Sequence, residues 1–338
     1  MKKTIFLSGL IIAILGYSEF AEAKIWRVNG NGGVDADFTT IQDAIDGARN
    51  GDTIIVEPML TGANYGPASL DSTFYIFGSG YFLDENDSNQ ANLRTAKLSS
   101  IVCQPSSAGS KVSGLEIGIT SSINAANITI ERCLFSSNSQ NLSISDGGDN
   151  ATIRHCFFPS GYGINMYSTH SVAIHNNYFG DFYSFSIDMD ITSNAMIYNN
   201  IFNANTSLGE LFNSSFYNNI VTDTFGFSGN NNTFHNNVAK GSQFGTANGN
   251  IQSGPSLVFA DWNGSLGMST DAKWMLKAGS PALGAANDGG DCGMYGGTNP
   301  YRLSGMPPIP SIYEFVNDPS GNNNSNTLNV RIKAKGNN

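Results

Sequence analysis

The sequence predicts an all-β fold, a single-domain right-handed parallel β-helix with an N-terminal capping helix. Three observations predict it. A short strand-like segment recurs six times at intervals of 18 to 23 residues, which indicates a solenoid. Glycine is abundant, with 38 residues, and only 13% of residues are charged, a composition typical of many tight turns rather than long helices. The segments that flank the repeats differ from them, as the two ends of a stack require.

The repeat has three fixed positions: an apolar residue, a Cys or Asn three residues later, and Phe, Val or Ala two residues after that. The six segments are ITIERCLF from Ile128, ATIRHCFF from Ala151, VAIHNNYF from Val172, AMIYNNIF from Ala195, SSFYNNIV from Ser214 and NTFHNNVA from Asn232. Asn tolerates a bent backbone, and its amide can bond the next coil, so the pattern predicts a strand that turns a corner. We expect coils stacked about 4.8 Å apart, with equivalent side chains forming inward ladders.

The ends have their own predicted elements. Residues 24–52 form an N-terminal cap with one amphipathic helix. Its expected features are N-cap candidates Thr39 and Thr40, an apolar face of Ile41, Ala44, Ile45 and Ala48, and a stop at Gly51. The β-helix is predicted over residues 53–297, with its first coil starting at Thr53 and a closing turn and last strand within residues 278–297. Residues 298–338 form a C-terminal extension, an Asn-rich tail in which residues 327–333 alternate like a peripheral strand.

Residues 1–23 are predicted to be a secretory signal peptide. Lys2 and Lys3 precede an apolar run over residues 5–15, and Ala21-Glu22-Ala23 matches a signal peptidase site. The run is too short to span a bilayer, so we expect no membrane insertion and a secreted or cell-surface protein. The formal net charge of −10 disfavours nucleic acid as a partner.

The chain resembles bacterial secreted right-handed β-helix proteins of the pectate-lyase-like fold over roughly residues 25–300. The residues that carry the resemblance are DFTTIQDAI from Asp37, GDTIIV from Gly51, the I-x-N-N coils and GSPALG from Gly279. Residues 78–86 and 301–315 resemble secreted proteins of Bacteroidetes-type bacteria. The resemblance implies the fold and an extracellular address. It does not imply catalysis, because this fold carries lyases, hydrolases and adhesins, and the catalytic motifs of the family are missing here.

The candidate catalytic residues are Asp188, Asp190 and Glu210. Alternation along SIDMDI from Ser186 predicts Ile187, Met189 and Ile191 inward and the two aspartates outward, about 7 Å apart. Glu210 is expected nearby on the next coil. Such carboxylates could act as acid and base in an inverting glycosidase, bind Ca²⁺, or simply be solvated acids on a strand.

The candidate ligand-binding residues are Asn165, Tyr167 and Tyr183. Asn165 and Tyr167 occupy the outward positions on the coil before Asp188, and Tyr183 belongs to an aromatic cluster with Tyr162, Phe182 and Phe185. Exposed rings of this kind either bind the faces of sugars or pack into a corner of the core.

Two functions from different classes follow. The first is a secreted or cell-surface protein that binds a polysaccharide or cell-surface glycan, or has a structural role at the envelope, without a cofactor or metal. The second is a polysaccharide hydrolase. A lyase is disfavoured because residues 155–239 contain no Lys or Arg to neutralise a uronate. Cys133 and Cys156 share one ladder position and are either bonded or stacked as buried thiols.

Overall fold

The computed structural model describes residues 22–182, 185–203, 207–224, 226–318 and 329–337. The predicted signal peptide lies outside these ranges except for its last two residues. Within the ranges described, no helix is long and apolar enough to cross a membrane.

The regular secondary structure of the described chain consists mainly of short strands joined by turns. In chain order they are β1 Ile25–Val28, β2 Thr53–Val56, β3 Pro67–Leu70, β4 Tyr75–Phe77, β5 Lys97–Leu98, β6 Ser100–Cys103, β7 Lys111–Ser113, β8 Glu116–Ile117, β9 Ser121–Ile123, β10 Thr129–Glu131, β11 Leu134–Phe135, β12 Gln140–Ile144, β13 Thr152–Arg154, β14 Phe157–Met166, β15 Val172–His175, β16 Tyr178–Phe182, β17 Ile187–Met189, β18 Ala195–Tyr198, β19 Ile201–Phe202, β20 Ser215–Tyr217, β21 Ile220–Val221, β22 Thr233–His235, β23 Val238–Ala239, β24 Ile251–Gln252, β25 Ser311–Asp318 and β26 Asn329–Lys335. The helices are α1 Ile41–Gly47 and α2 Pro255–Val258, with 3₁₀ turns at Pro105–Ser107, Ala272–Trp274 and Leu303–Gly305.

The strands stack into a parallel β-helix with three faces, which confirms the predicted fold class. The first face is a ten-stranded sheet from β1 to β22. The second face runs from β5 and β8 through β11 and the start of β14 to β24, and the third from β3 through β12 to β17. Strand β14 is long enough to belong to both, so the second and third faces form one sheet.

The predicted repeat is the first face and the corner that follows it. The repeated apolar residues pair in register, from Ile130 and Ile153 to Phe216 and Phe234. The Cys and Asn ladder lies inside the next corner, where Asn219, for example, is fully buried. Because the period of the sequence matches one turn, each equivalent residue contacts its counterparts on the coils above and below.

The sequence suggested that one Asn both bends the backbone at the corner and bonds the next coil. In the structure two consecutive residues do this, one for each role. The first residue takes a left-handed backbone, as at Asn199 with φ 52° and Asn218 with φ 55°. The second residue forms the buried ladder, in which Asn219 Oδ1 accepts from the backbone N of Asn200 at 2.8 Å. Asn is among the few residues other than Gly that adopt the left-handed conformation readily.

Helix α1 caps the N-terminal end as predicted. The Thr40 hydroxyl accepts a hydrogen bond from the backbone N of Asp43 at 3.2 Å, and Ile41, Ala44 and Ile45 are buried against the first coils. The helix ends at Gly47, before the predicted stop at Gly51. Strand β1 pairs in parallel with β2, so the first coil begins at Ile25 rather than at Thr53.

The segment after the coils packs along the side of the stack. Asn176 Nδ2 donates to the carbonyl oxygens of Met294 and Gly296, both at 2.9 Å. No strand forms within residues 278–297, all of which the structure describes, so the predicted last strand is wrong. This segment is held by the corner Asn side chains, which sequence periodicity does not reveal.

The C-terminal extension contains the predicted peripheral strand. Strand β26 pairs antiparallel with β25, and Phe315 lies opposite Ile332. Residues 319–328 lie outside the described residues. All four cysteines are buried free thiols, including Cys133 and Cys156.

Candidate functional site

The second face is covered on its outside and is therefore not available to a large ligand. A second apolar cluster joins Phe157, Tyr178 and Ile201 of this face to Phe259 and Trp274 of the segment that follows the coils. This second apolar cluster contains no residue of the third face. The outward side chains of the third face are Val102 on one coil and, on the coils after it, the polar residues Ser122, Ser143, Asn165 and Asp188.

The outward side chains of the third face form one ladder across successive coils. Ser122 pairs with Ser143, Ser143 with Asn165, and Asn165 with Asp188. The ladder continues to Glu210, whose backbone N donates to Asp188 Oδ1 at 3.1 Å. Because strands in a sheet lie about 4.8 Å apart, this ladder places a polar group at each step along the solenoid axis.

Asn165 lies at the centre of this ladder and lines a pocket of about 300 Å³ together with Gln140, Tyr162 and Phe185. Its residue surface is only 9% exposed. Asn165 Nδ2 donates to the hydroxyl of Tyr167 at 3.0 Å, while Asn165 Oδ1 is buried and has no hydrogen-bond partner. Buried amide oxygens without a partner are uncommon, because losing water without replacement costs about 1–3 kcal/mol.

Two further buried polar atoms without partners lie beside the residues that line the pocket. They are Asn141 Oδ1, next to Gln140 in sequence, and Ser186 Oγ, next to Phe185. The strand positions of Asn141 and Ser186 are separated by one coil, that of Gly163. Neither Asn141 nor Ser186 lines the pocket, and both are fully buried, so Asn165 Oδ1 is the unpartnered atom that belongs to a pocket residue.

The pocket has aromatic sides. The rings of Tyr162 and Phe185 lie 5.8 Å apart between centroids and are tilted by 55°. The predicted ligand residue Tyr167 is 46% exposed just beyond the end of β14. Tyr183 and the side chain of Phe182 lie outside the described residues.

Asp190 does not occupy the outward strand position that alternation predicted. Strand β17 ends at Met189, and Asp190 begins a turn. Its carboxylate accepts hydrogen bonds from the backbone N of Ser168 at 2.7 Å, the hydroxyl of Thr192 at 2.8 Å and the hydroxyl of Ser193 at 2.9 Å.

The same turn points Ile191 outward instead of inward, and its hydrogen bonds lower the pKa of Asp190. Ile191 is 64% exposed, whereas Ile187 and Met189 are buried as predicted. Desolvation raises the pKa of Asp190, but hydrogen bonds from Thr192, Ser193 and Ser168 outweigh it and lower this pKa to about 2. Asp190 therefore holds two coils together through the hydrogen bonds of its carboxylate, and the adjacent carboxylate pair of the ladder is Asp188 and Glu210.

Glu210 is exposed and forms an isolated bridge with Ser228 on the following coil. The hydroxyl of Ser228 donates to Glu210 Oε1 at 3.4 Å. Among the described residues, no group of three or more His, Cys, Asp or Glu side chains is arranged to hold a metal ion.

Gln140 is the pocket residue that inspection of the sequence missed. It pairs with Tyr162 on the next coil, and Leu142 pairs with Ile164 two residues later. Aligning QNLSI from Gln140 with YGINM from Tyr162 as equivalent strands would have found it, because both contain an inward apolar residue in the same place.

Residues 99–255 match the model of a protein family described as the right handed beta helix region. The matched range contains the pocket and both ladder carboxylates. A search of curated proteins finds no match. The family match and the parallel stacking of the coils together support a right-handed parallel β-helix.

Proposed function

We propose that this protein is an exported β-helix that binds a glycan on the outside of its third face, at the Asn165 pocket. The observation that carries the proposal is the buried, unpartnered Asn165 Oδ1 in a pocket lined by Tyr162 and Phe185. Sugars present hydroxyl donors beside apolar C–H faces, and such an amide and such rings are the groups that bind them.

Export rests on residues 1–23, whose basic start, apolar run and small-residue cleavage site are those of a signal peptide. Expression of the full chain in a Gram-negative host, followed by mass measurement of the secreted or periplasmic protein, tests it. A mature N-terminus at Lys24 supports export, and a chain that keeps Met1 in the cytoplasm contradicts it.

The binding proposal is tested with a glycan array, followed by calorimetry on the glycan that binds most tightly. Replacing Asn165 with Ala removes the free acceptor, and a lost hydrogen bond of about 1 kcal/mol weakens binding roughly fivefold. Thr233→Ala, an exposed change on the first face, is the matched control and should bind like the wild type. A folded protein that binds no glycan refutes the proposal, and equal affinity in Asn165→Ala places the site elsewhere.

A second candidate function is glycoside hydrolysis by Asp188 and Glu210. It is favoured by their positions on consecutive coils, since the strand spacing of about 4.8 Å is close to the separation of about 5 Å between the carboxyl groups of retaining glycosidases. A reducing-sugar assay on the bound glycan decides it. Cleavage that Asp188→Asn abolishes supports the enzyme, and binding without cleavage excludes it for that glycan.

A further inference from the structure

We infer that this site ranks glycans by charge, binding amino sugars most tightly, neutral sugars next and uronates least. The inference rests on the proposed function, because it specifies the ligand class for the same pocket and ladder. It follows from which groups the third face presents and from where the nearest basic side chains are held.

The charge of the ladder changes along the solenoid axis. Ser122, Ser143 and Asn165 are neutral, whereas the next two positions are Asp188 and Glu210. A saccharide chain that enters the Asn165 pocket and extends along the ladder in this direction faces two carboxylates about one coil spacing apart.

Among the described residues, no ion pair involves Asp188 or Glu210, and the ring of His170 lies at Asp149, with Nδ1 3.3 Å from Oδ1. Residues 155–239 contain no Lys or Arg. Just before them, Arg154 binds Glu131 through Nε and one terminal nitrogen, at 2.8 and 2.6 Å, and lies on the first face. Just after them, Lys240 is paired with Asp223 at 3.0 Å.

The pocket itself is neutral, so charge discrimination comes from the ladder beside it. A uronate carboxylate brought near Asp188 and Glu210 meets two like charges and no cation, and both effects oppose binding. An unacylated amine in the same place is attracted by both carboxylates. Since the ladder is partly exposed, each interaction is screened by solvent, and we expect about a tenfold step in affinity between successive classes at low salt.

The experiment compares three hexasaccharides with the same β-1,4-linked glucan backbone: the glucosamine hexamer, cellohexaose and the glucuronate hexamer. Calorimetry on the full mature chain, at low salt and at a mildly acidic pH that protonates the amine, gives the three dissociation constants. The expected order is glucosamine, glucose, glucuronate. At about 1 M salt the Debye length falls to about 3 Å, and the three dissociation constants should then lie within about threefold of one another.

Two double variants identify the source of the ranking. Asp188→Asn with Glu210→Gln should bring the glucosamine and glucose hexamers to within about twofold of each other. The control, Asp35→Asn with Asp87→Asn, changes the net charge equally at exposed positions near the N-terminal end and should keep the wild-type order.

The outcomes separate the two claims. Binding of the hexamers with the uronate preferred or equal, or an unchanged order in the ladder variant, overturns the charge ranking and leaves the glycan site standing. Failure of all three hexamers to bind overturns the ranking for this backbone. Failure of the whole glycan array overturns the proposed function as well.

Discussion

Replacing Asn219 with Ala should destabilise the protein by about 3–4 kcal/mol. Asn219 is fully buried, and its amide makes four hydrogen bonds. Oδ1 accepts from the backbone N and Nδ2 of Asn200, at 2.8 and 3.1 Å, while Nδ2 donates to the carbonyl oxygen of Ile197 at 2.9 Å and to Oδ1 of Asn237 at 3.2 Å. With Ala, the backbone N of Asn200 loses the acceptor that the ladder supplies.

The magnitude follows from these bonds. Each intramolecular hydrogen bond contributes about 1 kcal/mol net, and an unsatisfied buried N–H group costs about 1–3 kcal/mol. Partial relaxation of the corner reduces the sum to the expected range. Urea unfolding followed by far-ultraviolet circular dichroism measures it, and with a slope of about 3 kcal/mol/M the midpoint should fall by about 1 M. Thr233→Ala is the control, since this exposed side chain makes one bond, to Ser215 at 3.1 Å, and should change stability by less than about 0.5 kcal/mol. If Asn219→Ala proves as stable as that control, the ladder is not what holds the corner.

Three further predictions concern charge and thiols. Because the folded pKa of Asp190 is depressed to about 2 from 3.8, its carboxylate stabilises the fold above pH 4, and this effect declines as the pH falls towards 2. Asp190→Asn should lose about 1 kcal/mol of stability at pH 7, after solvent screening, and much less at pH 2. Equal losses at both pH values would contradict this role of the Asp190 carboxylate. Desolvation lowers the pKa of His155 to about 3 from 6.5. Between these pH values the unfolded chain binds one more proton than the folded protein, so stability should fall by about 1.4 kcal/mol for each unit that the pH drops. In urea titrations His155→Asn should flatten this dependence of stability on pH, and an unchanged dependence would exclude His155 as its source. Without reductant, a thiol reagent should label no cysteine in the native protein and all four after unfolding. Labelling of Cys103 and Cys292 alone after unfolding, located by peptide mass mapping, would show that Cys133 and Cys156 are bonded.

The fold could be predicted because its main stabilising elements repeat. Ile130, Cys133 and Phe135 each have equivalents one turn later, so period and alternation together imply stacked coils. The repeat does not identify strand β1, because its sequence, IWRV, lies before helix α1 and far from the six repeated segments. The course of residues 278–297 could not be predicted, because a segment of turns that is held by side-chain amides of other coils has no periodicity of its own.

The candidate site was predictable in part, because alternation and the repeat also apply to the third face. Alternation places Asn165 and Asp188 on one outward ladder, and the register agrees. It fails at Asp190, where Thr192 and Ser193 supply hydroxyls that form a turn in place of another strand pair. Local donors of this kind compete with sheet pairing, and the sequence DITS from Asp190 contains them.

The pocket beside Asn165 depends on contacts between coils and was not visible in the sequence. Gln140 and Tyr162 are far apart in the chain and meet only when the register is known. The unpartnered state of Asn165 Oδ1 likewise requires knowledge of every neighbouring donor.

A crystal structure of the protein with the glucosamine hexamer tests the central claim most directly. We expect a sugar ring against Tyr162 and Phe185, with a hydroxyl within hydrogen-bond distance of Asn165 Oδ1 and the saccharide chain extending towards Asp188. A larger groove of about 690 Å³, lined by Asn31, Leu60 and Phe315 among others, is an alternative position on this molecule. A hexamer bound only in that groove, with the Asn165 pocket occupied by water, would contradict the account.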